Sequence, residues 1–231
     1  MNKIIKFFIG LLLLPFVFVF IYNFIPVVIE MLKNYRMTCS FLIGFVLYCF
    51  IHKYLYNFSR PYVFAHEVTH ALAAWCCGYK VSDMKVNEES GATKVSDINT
   101  FVLLAPYCLP LYVIGIILVF YITSFFWEDI LAYNRIFLGF LGFFMAMHLV
   151  HTYKTLTETE QSDISLAGGG LFSFGLIAVV NLSLLLLLIN FLFPNIIAPF
   201  ALFKKVFIQT IDFWKVSFSY LYKLILWVKN L

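Results

Sequence analysis

Along this chain long runs of Phe, Leu, Ile and Val alternate with short polar gaps. The runs cover residues 7–29, 37–56, 61–77, 100–123, 135–153 and 166–193. A bilayer core about 30 Å thick is crossed by about 20 apolar residues of helix, so the pattern predicts about six transmembrane helices. The first run follows Lys3 and Lys6. It is too long for the apolar core of a signal peptide and no small-x-small cleavage site follows, so it is expected to stay as a signal anchor. Pro15 and Pro26 are placed to kink it, Pro106 and Pro110 to break the fourth run, and Gly78 to cap the third helix.

Two polar gaps interrupt the theme. In the first, Lys80–Val86 and Ala92–Val95 flank the turn signal Glu89-Ser90-Gly91, which predicts a small hairpin at the membrane surface. The second, Lys154–Ser165, is rich in Thr and Glu and leads to Gly168-Gly169-Gly170. From Ile196 onward Lys205, Gln209, Asp212, Ser219 and Lys223 recur at helical intervals among aromatic and aliphatic residues. That is a basic amphipathic helix, expected to lie in the membrane interface. The fold class is therefore an all-α polytopic membrane protein with about six transmembrane helices, a small surface hairpin and a C-terminal basic amphipathic helix. Its expected segments are the N-terminal transmembrane helices (1–56), a membrane core (57–193) and the interfacial helix (194–231).

Composition agrees: 63% of the 231 residues are hydrophobic and 12% charged, against roughly 45–50% and about 25% in soluble domains. The formal charge of +4 comes from scattered Lys and Arg. It forms no basic face interleaved with aromatics, which excludes a nucleic-acid partner and leaves the lipid bilayer as the surrounding phase. The five cysteines sit in apolar runs without scaffold spacing and are read as reduced, buried, small hydrophobes. Lys3, Lys6, Lys53, Arg60, Arg135, Lys204 and Lys205 fall on one side of the predicted topology. The positive-inside rule then puts the N-terminus in the cytoplasm, and the expected location is a bacterial inner membrane.

The third run carries the chemistry. Phe64-Ala65-His66-Glu67-Val68-Thr69-His70-Ala71-Leu72 contains His-Glu-x-x-His. On a helix, residues four apart share a face, so His66 and His70 can hold one zinc ion while Glu67 stands beside them to act on a metal-bound water. A charged side chain at the bilayer centre costs about 2.5 kcal/mol or more, so such residues in an apolar helix call for a metal or a wet cavity. A hydrolytic zinc site uses three protein ligands. The third has several candidates: Asp163, His148 and His151, and more weakly Glu158 and Glu160. Five histidines are too few for a membrane oxygenase with two irons. A non-catalytic metal-binding scaffold or transporter is the other alternative, but it has little use for an unligated Glu67.

These residues, with Gly-x-Thr-x-Val at Gly91 to Val95, the helical Ala105-Pro106 and an Asp roughly ninety residues after the zinc helix, resemble the site-2 protease family of intramembrane zinc metalloproteases. The resemblance implies His66, His70 and Asp163 as zinc ligands, Glu67 as catalytic base, and a transmembrane protein or peptide as substrate. The family's Asn-x-x-Pro-x-x-x-Leu-Asp-Gly pattern reads Thr155, Glu158, Ser162, Asp163 and Ile164 here, so only the Asp matches. Helix counting puts Asp163 at the mouth of the sixth run and His70 about 12 Å inside the third helix. Ligation by Asp163 therefore requires the loop to dip inward, whereas His148 reaches that depth directly.

Overall fold

The computed structural model describes residues 2–88, 90–158, 161–193 and 198–229. Glu89 of the predicted turn, Glu160, and the predicted boundary at residue 194 lie outside the described residues, as does the side chain of Glu158. Within them the chain forms nine α-helices, a short 3-10 turn and one two-stranded sheet. Four helices are long and apolar enough to cross a membrane, or five if a bent pair is counted as one span. The chain divides into two compact units, residues 1–33 with 171–231, and residues 34–170.

The first unit holds α1 (Lys3–Lys33), α8 (Gly170–Leu192) and α9 (Pro199–Lys229). Phe20, Leu186 and Val206, one from each helix, form its core. Asn23 is buried in the apolar α1 and donates to Gln209 Oε1 on α9 at 2.6 Å. The amphipathic tail is helical as its periodicity predicts, and it packs on α1 through this amide pair.

The second unit holds α2 (Tyr35–Tyr54), α3 (Ser59–Cys76), β1 (Val81–Val86), β2 (Gly91–Val95), α4 (Thr100–Cys108), α5 (Leu111–Ser124), α6 (Asn134–Glu158) and α7 (Ser162–Ala167). Helices α2 and α6 pack along each other. Tyr48 of α2, Tyr62 of α3, and Ala146 and Met147 of α6 join in one core cluster. The fourth run is broken as its prolines predict: α4 and α5 meet at a 68° bend, with Pro110 starting α5. The zinc-motif helix α3 is not among the helices apolar enough to span alone, because Ser59, Arg60 and the polar motif dilute its 18 residues. It relies on neighbours, and its small Ala73 and Ala74 let Val102 and Ala105 of α4 pack closely against it.

Helix α3 stops where Gly78, at φ +75°, turns the chain. Gly78 N–H donates to Trp75 O and Tyr79 N–H to Ala74 O, both at 2.9 Å, which closes a Schellman motif. The chain then forms the predicted hairpin, with β1 and β2 antiparallel and Val86 opposite Gly91. Both strands pack against α3, so the hairpin is built into the motif helix's surroundings. The second polar gap differs from expectation. Its Thr and Glu residues are compatible with helix, so α6 runs on to Glu158, and the sixth apolar run is split into α7 and α8 by Gly168 and Gly169, at φ +139° and +94°. The cysteines are free, but only Cys108 is buried; Cys39 and Cys76 are exposed on the helix surfaces, correcting the expectation that all are buried.

Candidate metal centre and active site

His66 and His70 lie one helical turn apart on α3, with ring centroids 4.8 Å apart. The face they share meets α4 and α7, which pack on each other. His70 Nδ1 lies 2.8 Å from the carbonyl oxygen of Val102. A proton on Nδ1 makes that bond and leaves Nε2 with its lone pair free. Nε2 of His70 is 3.3 Å, and Nε2 of His66 3.7 Å, from Asp163 Oδ2. Tyr107, fully buried on α4, donates to the same Oδ2 at 3.2 Å and packs edge-on against the His66 ring. Without an ion, and with protons on the Nε2 atoms, burial pushes the Asp163 carboxyl up, but hydrogen bonds and charge from His66 and His70 outweigh it and hold the carboxyl well below the usual carboxylate range.

Among the described residues, His66, His70 and Asp163 form a group whose ligand atoms lie within 4.8 Å of one another. Two imidazoles and one carboxylate are a donor set suited to a borderline divalent ion. Both imidazoles turn Nε2 toward the carboxylate; the outer Nδ1 of His70 has the Val102 carbonyl, while the buried Nδ1 of His66 has no hydrogen-bond partner. The residues therefore fit a metal.

The other predicted ligands stand elsewhere. His148 is buried on α6 and borders a small void shared with Tyr62, Ala65, His66 and Thr69. His151 is stacked on Tyr62, 4.7 Å between centroids, and edge-on to His52. Neither converges with the triad. The dip that ligation by Asp163 requires is made by α7, which packs on α4 and brings Asp163 to His66 and His70, and Gly168 and Gly169 end that helix.

Glu67 points away from the imidazole face toward β2. It is buried, and Thr93 Oγ1 donates to its Oε2 at 2.6 Å. Glu67, both histidines and Asp163 line one cavity of about 710 Å³. Residues 90–93 of the hairpin form one wall of it, Val102 and Leu103 of α4 another, and His151, Lys154 and Thr155 of α6 a third. Sequence reasoning gave no role to Thr93 or Tyr107 and could not reach the Val102 carbonyl. Gly-x-Thr-x-Val is the one signal among these, and it touches only Thr93.

This geometry, an apolar helical protein with a His-Glu-x-x-His helix facing an aspartate, agrees with a match to the Peptidase M50B-like family over residues 38–227. The chain belongs to the Peptidase M50B-like family. It is a membrane metalloprotease of the site-2 type by family, and the family's substrates are membrane proteins. No curated protein and no solved structure matches the chain.

Proposed function

We propose that this chain is a zinc metalloendopeptidase that hydrolyses peptide bonds of membrane-protein substrates, with zinc held by His66, His70 and Asp163 and with Glu67 as general base. The observation that carries the reading is the convergence of the three donor atoms on a cavity that Glu67 also lines. Zinc bound there supplies Lewis acidity, acidifying water and polarising the scissile carbonyl. Glu67 takes a proton from water as its oxygen bonds to the carbonyl carbon, and gives that proton to the amine nitrogen as the C–N bond breaks. His70 is held in one tautomer by the Val102 carbonyl, and Tyr107 donates to the Asp163 oxygen that faces both histidines.

A helical substrate hides its carbonyls in its own hydrogen bonds, so the cleaved segment must be extended. Among the described residues the hairpin at Val81–Val95 is a two-stranded sheet with strand edges that pair with no further strand, and strand addition there is the proposed mode of holding it. The bias of Lys and Arg in the loops supports a cytoplasmic N-terminus.

The test is the protein purified in detergent, with bound zinc and cleavage of a model transmembrane substrate measured together. About one zinc per chain, and cleavage abolished in Glu67→Gln with the zinc retained, is the expected result. A parent protein that holds no zinc, or a Glu67→Gln variant that still cleaves, overturns the reading; zinc without any cleavage favours a metal-binding scaffold.

A further inference from the structure

Glu67 sits next to a ligand in sequence, about 100° around the helix from His66, and so does not share the face of the imidazoles. A glutamate has three side-chain torsions, and holding one rotamer costs on the order of 1.5–2 kcal/mol of conformational freedom. A base that must meet a proton at one place therefore needs something to hold it. The hairpin supplies it.

Residues two apart on a strand share a face. On β2 that puts Gly91, Thr93 and Val95 on one side, and each meets α3 or its surroundings in turn. Val95 packs against the cluster of Ala73, Ala74, Val102 and Ala105. Thr93 Oγ1 lies 2.6 Å from Glu67 Oε2 and 3.1 Å from the Glu67 backbone oxygen. The Gly91 backbone lies so close that a Cβ there would fall 2.5 Å from Glu67 Cγ and 2.6 Å from Oε1. The Gly-x-Thr-x-Val pattern thus reads as one strand face fitted to one side chain.

The two contacts differ in chemistry. A threonine hydroxyl has one hydrogen, and the shorter, charge-assisted bond to the carboxylate is where it goes. Oε2 is then engaged, and Oε1 is the oxygen with no hydrogen bond among the described residues. Resting on the reading of Glu67 as general base, we infer that Thr93 is a positioning residue that makes Glu67 a one-sided base, with Oε2 held by the Thr93 hydroxyl and Oε1 exchanging the proton. The hydroxyl can donate to Oε2 both before transfer, when it is a carboxylate oxygen and the bond is stronger, and after transfer, when it is the carbonyl oxygen of the acid. The hold therefore persists through the proton's arrival and departure.

The experiment compares Thr93→Val, close in shape but without a donor, and Thr93→Ser, which keeps the donor, in the zinc-loaded full-length protein. Thr93→Val is expected to lose kcat by about 10- to 100-fold, the scale of a misplaced catalytic group, with KM and bound zinc unchanged. Thr93→Ser is expected to recover most of it. A Thr93→Val variant with parental kcat, or a Thr93→Ser variant as impaired as Thr93→Val, overturns the proposal and leaves Thr93 as a tie between β2 and α3. Where Thr93→Val does not fold, Thr93→Ser against Thr93→Ala asks the same question: activity only in the Ser variant supports the proposal, and equal activity overturns it. Glu67→Gln runs in the same assay. If it still cleaves, the general-base reading itself has failed; if it is inactive while Thr93→Val is active, only the positioning role has.

Discussion

His70 and Val102 are joined by a hydrogen bond of 2.8 Å from the imidazole Nδ1 to the backbone carbonyl, and the N–H of the same Val102 donates to Asn99 Oδ1 at 2.9 Å. The N-terminal cap of α4 is thereby one peptide removed from a candidate metal ligand. Asn99→Ala removes the cap and should cost about 1 kcal/mol of stability. It should also weaken zinc binding by about tenfold, the lower end for groups that orient a ligand. Thermal unfolding in detergent and a zinc-competition titration measure the two effects. Asn99→Asp keeps the capping oxygen but loses the Nδ2 bonds to Cys77 Sγ and Tyr79 Oη, so it should restore zinc binding and only part of the stability.

Three atoms, on His66, His70 and Asp163, lie within 4.8 Å of one another, while His148 stands outside this group, on a smaller void that His66 also lines. Alanine at any of the first three should take bound zinc from about one per chain to well under half by elemental analysis of the purified protein. His148→Ala should keep its zinc. Retention in Asp163→Ala together with loss in His148→Ala would reverse the assignment of the third ligand.

The parts of this fold that follow a period were legible in the chain. The long apolar runs became helices, Pro110 marked the bend between α4 and α5 while Pro106 lies within α4, and Gly78 marked the end of α3. His-Glu-x-x-His was legible for the same reason, since a spacing of four is itself a statement about helix geometry. What remained hidden depends on contacts between distant segments. Helix counting leaves Asp163 far from His70, because polarity alone does not say that Thr and Glu continue α6 to Glu158 or that α7 packs on α4. Asn23 carries no sequence signal of its role, because its partner Gln209 lies in another helix. The Val102 carbonyl has no sequence signature at all, because every residue carries one.

Gly91 tests the fit of β2 to Glu67 by crowding. A methyl group there would stand 2.5 Å from Glu67 Cγ, which is too near the backbone to swing away as a side-chain tip would. Gly91→Ala should displace the Glu67 carboxylate, lowering kcat by about 100-fold at unchanged zinc content. Overpacking of this kind also costs about 1–3 kcal/mol. Steady-state cleavage and bound metal, measured on one preparation, separate a moved base from an unfolded site. A Gly91→Ala enzyme with parental kcat would show that Glu67 has room to spare.

Asn23 and Gln209 make the corresponding test for the unit formed by α1, α8 and α9. Their amides meet at 2.6 Å, and Asn23 Nδ2 also donates to Val19 O one turn back. Removing one partner leaves the other amide without its match, which costs about 1–3 kcal/mol, whereas replacing both with apolar groups of similar shape is close to neutral. Asn23→Leu and Gln209→Leu should each destabilise the protein in detergent, and the double variant should recover most of the loss. The coupling between the two should be on the order of 0.6–1.7 kcal/mol, the range measured for buried polar pairs between membrane helices. Strict additivity would mean that apolar packing around Phe20, Leu186 and Val206, without the amide pair, holds α9 in place.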